Sequence, residues 1–166
     1  NFETSAYEAE KYTATLAALD GRRFASGFEV GCSIGVLTAR LAPVCDTLLA
    51  VDIVPRALDA AQRRNQEARH VTFAQRTIPD QWPAQTFDLI ILSEVLYFLD
   101  PAEIDRTADR ARDSLAPGGL VILVNYLGQI DEPLDGEAAA ARFIARYRPS
   151  SHALQRAPGF RLDRLG

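Results

Sequence analysis

Glu29-Val30-Gly31-Cys32-Ser33-Ile34-Gly35 follows directly on Phe28 and opens into a helical pattern that runs from about Gly35 to Leu41, before Pro43. A short apolar strand, a glycine-bearing turn and a helix N-terminus in that order let a ligand approach the backbone. Glycine has no Cβ in the way, and the turn's free N–H groups face outward. Spacing then separates ligand classes. A dinucleotide fingerprint requires glycine at positions 33 and 36, where this chain has Ser33 and Val36, so an NAD(P)-dependent oxidoreductase is the weaker alternative.

Outward from that turn, strand and helix signals alternate. The runs 47–51, 71–75, 86–92 and 120–125 read as strands, and 160–165 as the start of one more. Helices are expected from the Ser5-Ala6-Tyr7-Glu8 capping box to about Leu19, from Pro55 to about Glu67, from the Asp100-Pro101 cap to Leu115, and from Gly136 to about Tyr147. Because the strands are continuous apolar runs, the fold class is α/β: a doubly wound, mostly parallel sheet with helices on both faces. Ligands in such sheets sit beyond the carboxyl ends of the strands, near the switch in strand order.

The chain has 166 residues, a size for one domain spanning 1–166. Within it lie an N-terminal helix at about 5–19, a cofactor half at about 27–100 and a substrate half at about 101–166. A net charge of −4 argues against nucleic acid as the main partner, and the longest apolar runs, 89–92 and 120–124, are far too short to cross a bilayer. With no charged and apolar leader at the start, a cytoplasmic location is the expectation. Cys32 and Cys45 form no metal-binding spacing and are read as reduced. A start at Asn1, an end inside a strand at Leu165-Gly166 and the lack of methionine suggest a trimmed chain.

The pattern E-x-G-x-x-x-G at 29–35 resembles motif I of class I S-adenosylmethionine-dependent methyltransferases. With GCSIG at 31–35, AVD at 50–52, Ser93-Glu94-Val95-Leu96-Tyr97-Phe98-Leu99, the LAPGG turn at 115–119 and the N-terminal stretch from Phe2-Glu3 to Tyr12, it resembles the nodulation protein S group in particular. That resemblance covers most of residues 1–131 and weakens beyond Gly136, where the last strand of the family's sheet is expected to be missing. It implies S-adenosyl-L-methionine as cofactor, S-adenosyl-L-homocysteine as product and no metal.

By the same resemblance Glu29 helps position the amino-acid end of the cofactor, and Gly31, Cys32, Ser33 and Gly35 form its turn. Asp52, with Ile53 beside it, ends the second strand 21 positions beyond Gly31. A carboxylate there accepts hydrogen bonds from both ribose hydroxyls. Thr77 and Ile78 stand on the adenine side, where the family often has an acid, and Ser93 lies at the end of the fourth strand. Trp82 reads as a packing residue rather than a cover for adenine.

The acceptor that the resemblance implies is a small molecule with an amine, as on an amino sugar. An amine must give up its proton to expose a lone pair, and Glu94 is the best-placed carboxylate, with Tyr97 one turn on to aim the acceptor. His70 and His152 stand apart from the expected site. A non-catalytic nucleoside-binding domain is the remaining alternative.

Overall fold

Strands that are apolar at every residue need cover on both faces, and the computed structural model, which describes residues 5–166, supplies it. The strands are β1 (Phe24–Val30), β2 (Cys45–Asp52), β3 (Val71–Gln75), β4 (Phe87–Ser93), β5 (Leu115–Tyr126), β6 (His152–Ala157) and β7 (Phe160–Leu165). They form one sheet in the order β3-β2-β1-β4-β5-β7-β6. β1 to β5 are parallel, and β7 runs antiparallel to both β5 and β6.

The helices are α1 (Ala6–Ala17), α2 (Val36–Leu41), α3 (Pro55–Arg64), α4 (Pro101–Ser114) and α5 (Gly136–Tyr147). β4 and β5 divide their side chains between two cores. Ile90, Leu92, Val121 and Leu123 pack with Ile104, Ala108 and Phe143 of α4 and α5. Leu89, Ile91, Ile122 and Val124 pack with Tyr12, Leu37 and Leu41 of α1 and α2. This two-sided burial is what the unbroken apolar runs demanded.

Local chemistry sets the helix starts. Asp100 and Glu103 form a reciprocal capping box at α4, each side chain accepting from the other residue's backbone N–H at 2.8 and 3.0 Å. At α1 only half of the expected box exists: Ser5 Oγ accepts from Glu8 N at 3.4 Å, while the Glu8 carboxylate turns to Lys11 instead. Phe2 and Glu3 lie outside the described residues.

Two expectations are corrected. The sheet is not short of its last strand, since β6 and β7 form a hairpin that completes seven strands. β6 escaped notice because it is an edge strand whose residues 152–156 are all exposed, so it carries no apolar pattern. The Pro117-Gly118-Gly119 turn also does not separate α4 from β5. It is an irregularity inside β5, where pairing with β4 jumps from Phe87–Leu115 to Leu89–Leu120.

Candidate active site

β1 and β4 lie side by side at the point where the strand order turns back, and their carboxyl ends, with that of β2, open on one cavity of about 490 Å³. Ten of the twelve residues singled out from sequence line it: Glu29, Gly31, Cys32, Ser33, Asp52, Ile53, Ile78, Ser93, Glu94 and Tyr97. Gly35 and Thr77 do not. Gly35 (φ +82) caps α2 and packs against α3, where a Cβ would come within 2.9 Å of Ala61. Thr77 is exposed, and its backbone N–H donates to Gln81 Oε1 at 2.7 Å. Gly35 is spent on packing α2 against α3, and Thr77 on closing the turn that follows β3.

The turn is built around backbone donors. Gly31 N and Cys32 N donate to Val51 O at 2.9 and 3.0 Å, which seats the turn on the end of β2. Gly31 has φ +79, and a Cβ there would run into the Val95 side chain, so glycine is required twice over. Ser33 adopts φ +49. Its N–H donates to Asp52 Oδ2 at 2.8 Å, while Val54 N donates to Oδ1 at 3.0 Å. These two bonds fix the carboxylate and leave each oxygen a second lone pair.

Glu29 is 1% exposed and accepts one hydrogen bond, from Thr38 Oγ1 at 2.6 Å. Burial pushes its carboxyl up to about 7, against the opposing pull of the Thr38 bond, and Asp52 adds repulsion. A cation delivered to this carboxylate would relieve both effects. Cys32 is an unreactive wall residue, its thiol pushed upward by burial and by Glu29 and Asp52.

The opposite chemistry comes from α1. Glu94, at φ +58 just beyond β4, accepts from Tyr7 Oη at 2.6 Å and from Lys11 Nζ at 2.8 Å, and its N–H donates to Val124 O at 2.7 Å. Lys11 Nζ also stands 2.7 Å from Glu8 Oε2. Burial and the bond to Glu94 raise the Tyr7 phenol well above its usual range, and burial followed by the Glu94 charge does the same to Tyr97.

Sequence reasoning passed over Lys11, Tyr12 and Arg76, which also line the cavity. A signal for the first two existed: Tyr7, Glu8, Lys11 and Tyr12 recur at helical spacing, with the chain's single lysine among them. Trp82 is a packing residue as expected, edge-on to Phe28 at 5.0 Å with its indole N–H on Ser114 Oγ at 3.0 Å. His70 bonds Ala42 O and His152 bonds Asp163, both away from the cavity lining.

The volume lies within the ~300–1,000 Å³ of small-molecule sites. A backbone turn without a Cβ, a desolvated carboxylate, a second carboxylate with spare acceptor capacity and an apolar wall suit a nucleoside with a cationic amino-acid tail. Fold and site together define a class I methyltransferase. The chain superposes on the crystal structure of N-methyltransferase NodS from Bradyrhizobium japonicum WM9 in complex with S-adenosyl-L-homocysteine with a TM-score of 0.84, at 25% identity, covering 99% of this chain and 89% of that one.

A Pseudomonas syringae crystal structure gives the same TM-score of 0.84 at 34% identity, over 97% of this chain and 99% of the other. Nodulation protein S of Bradyrhizobium diazoefficiens is 32% identical over 157 residues, which is 93% of this chain and 75% of the relative's length. The sequence profile of the family described as Nodulation protein S (NodS) matches residues 1–124. The chain belongs to the nodulation protein S family of S-adenosylmethionine-dependent methyltransferases. Among the described residues no helix is long and apolar enough to cross a membrane.

Proposed function

We propose that this chain transfers a methyl group from S-adenosyl-L-methionine to the nitrogen of a small-molecule amine, that of an amino sugar, in the cytoplasm. What carries the reading is that one cavity holds both the Gly31 turn with Glu29 and Asp52, and the acid Glu94. The name N-methyltransferase borne by the Bradyrhizobium japonicum relative supports nitrogen as the acceptor atom.

When bound, S-adenosyl-L-methionine supplies a methyl carbon on a sulfonium, open to in-line displacement by the acceptor nitrogen's lone pair while the C–S bonding pair returns to sulfur. In this reading Asp52 accepts the ribose hydroxyls through the lone pairs left free by Ser33 N and Val54 N. Glu29 receives the α-ammonium, and Gly31, Cys32 and Ser33 let the tail lie against the backbone. Ile53 and Ile78 supply apolar contact to the nucleoside, with Ser93 at the end of β4.

Glu94 takes the acceptor's ammonium in a charge-assisted hydrogen bond and accepts the proton its nitrogen must lose. Tyr97, buried with its hydroxyl protonated at neutral pH, aims the acceptor.

Calorimetry with S-adenosyl-L-homocysteine tests the reading. The wild type binds it, and Asp52→Ala weakens binding by about 1–3 kcal/mol because two hydrogen bonds to one ribose are lost. Unchanged affinity in the variant places the nucleoside elsewhere. Turnover with an amine acceptor then separates an enzyme from an inert nucleoside-binding domain.

A further inference from the structure

Asn125 is 0% exposed, and among the described residues neither its amide oxygen nor its amide nitrogen has a hydrogen-bond partner. An Asn amide carries two donors and two acceptor lone pairs, all of which water satisfies in the unfolded chain. Burying them unpartnered is costly, so a folded protein that keeps such a group does so for a reason, such as an internal water or a ligand.

Its place in the sheet narrows the reason. Asn125 follows Val124, whose carbonyl accepts from Glu94 N at 2.7 Å, so it stands at the carboxyl end of β5, one strand over from the wall of the cavity. By alternation it shares a face with Val121 and Leu123. That face also buries Leu92 and Tyr97, and both of these line the cavity. Directly across on β7 is Arg161, which donates to Asp163 and Glu137 and not to Asn125. The ion network beside the amide leaves it unused.

What closes over Asn125 is weakly held. The chain leaves β5 at Tyr126 and returns at Gly136, the first residue of α5, where a Cβ would stand 3.2 Å from the Cβ of Asn125 and would run into Tyr126 O. A missing side chain therefore lets the two ends of the loop shut beside the amide. Between them, no hydrogen bond joins residues 128–134 to the rest of the described chain. Ile130 and Leu134 hold that stretch by packing on the core, and a segment held without hydrogen bonds opens at low cost.

We propose that Asn125 is a specificity-determining residue for the methyl acceptor, its amide reading a hydroxyl carried next to the reacting amine once the 128–134 segment swings aside. The inference rests on the methyltransferase reading and narrows its acceptor to a hydroxyl-bearing amine. A hydroxyl is donor and acceptor at once, so neighbouring hydroxyls satisfy both ends of the amide. An amine without one leaves the amide as unpartnered as it is in the free chain. A site built to hydrogen-bond a hydroxyl rejects the analogue that lacks it.

The test titrates the full chain, saturated with S-adenosyl-L-homocysteine, with glucosamine and with cyclohexylamine, a six-membered ring amine without hydroxyls, by calorimetry at pH 7. Wild type is expected to bind glucosamine at least tenfold more tightly. Asn125→Leu should cut that preference at least fivefold while leaving the affinities for cyclohexylamine and S-adenosyl-L-homocysteine unchanged. Asn125→Ala, which removes bulk instead of adding it, should do the same and decides the matter if Asn125→Leu does not fold. An amide that only holds an internal water gives folded variants with the preference intact, which overturns the proposal. Equal or absent binding of the two amines by the wild type overturns it too, as does a loss that extends equally to cyclohexylamine, the mark of general damage. Failure of S-adenosyl-L-homocysteine to bind the wild type would instead sink the underlying reading.

Discussion

The parallel half of the sheet and its antiparallel edge are held together by different physics. β1, β2 and β4 are almost wholly apolar inside, with Phe28, Leu89, Ile90, Ile91 and Leu92 at 0–1% exposure. At their carboxyl ends the Asp52 carboxylate is held by the backbone N–H groups of Ser33 and Val54, and the buried Glu29 by the Thr38 hydroxyl. At the other edge, beneath α5, the hairpin buries charge. Arg161 (5% exposed) forks onto Asp163 (0%) at 2.8 and 2.7 Å, and His152 approaches the same carboxylate at 2.7 Å.

Glu137 of α5 joins Arg161 and Arg156 to this network. The contrast teaches where structural specificity is stored: on one side in the backbone geometry of a turn beside the cavity, on the other in ion pairs that register a hairpin against the sheet.

The comparison breaks most sharply at the hairpin. Arg161→Met leaves Asp163 buried with only His152 for a partner, and removing one member of a buried ion pair costs about 3–5 kcal/mol. A urea melt should show a loss of that size, with affinity for S-adenosyl-L-homocysteine unchanged in the absence of urea. A loss below about 1 kcal/mol would make the network ornamental.

Next in size is the pH response of the half that carries the cavity. Glu29 goes from an ordinary 4.5 to about 7 in the folded chain, so between those values the folded state keeps a proton that the unfolded state has released. Its contribution is full below about pH 4.5 and lost as pH rises through about 7, a span of roughly 3 kcal/mol. Denaturation of the cofactor-free chain across pH 4.5–8, with Glu29→Gln removing this component, checks both sign and residue.

Gly31→Ala should cost about 2–3 kcal/mol, from a strained backbone and a collision with Val95. Unlike the hairpin substitution, it should lower stability and S-adenosyl-L-homocysteine affinity together. If affinity survives, the turn is scaffold and not binding surface.

Legibility followed the same division. The positions of Gly31, Cys32, Ser33 and Asp52 beside the cavity were readable because they depend on neighbours close in the chain: a strand end, a missing Cβ, a free N–H. The edge strand β6 was not, since an exposed edge makes its ladder from backbone atoms and demands nothing of its side chains. Asn125 is another blind spot. It is fully buried, with neither amide atom partnered among the described residues, and nothing in a strand-like run announces that.

Composition, apolar run length and the spacing of one turn were enough to determine a doubly wound sheet and the strand ends on which the cavity opens, because each follows from local geometry and from what a parallel strand must bury. Only the tertiary structure decided that Glu94 is tied to Tyr7 and Lys11, that Gly35 and Thr77 are structural neighbours of the cavity and not its walls, and that the hairpin closes the sheet. Those facts depend on side chains from distant segments meeting in low dielectric, and no local pattern encodes which carboxylate a buried lysine will find.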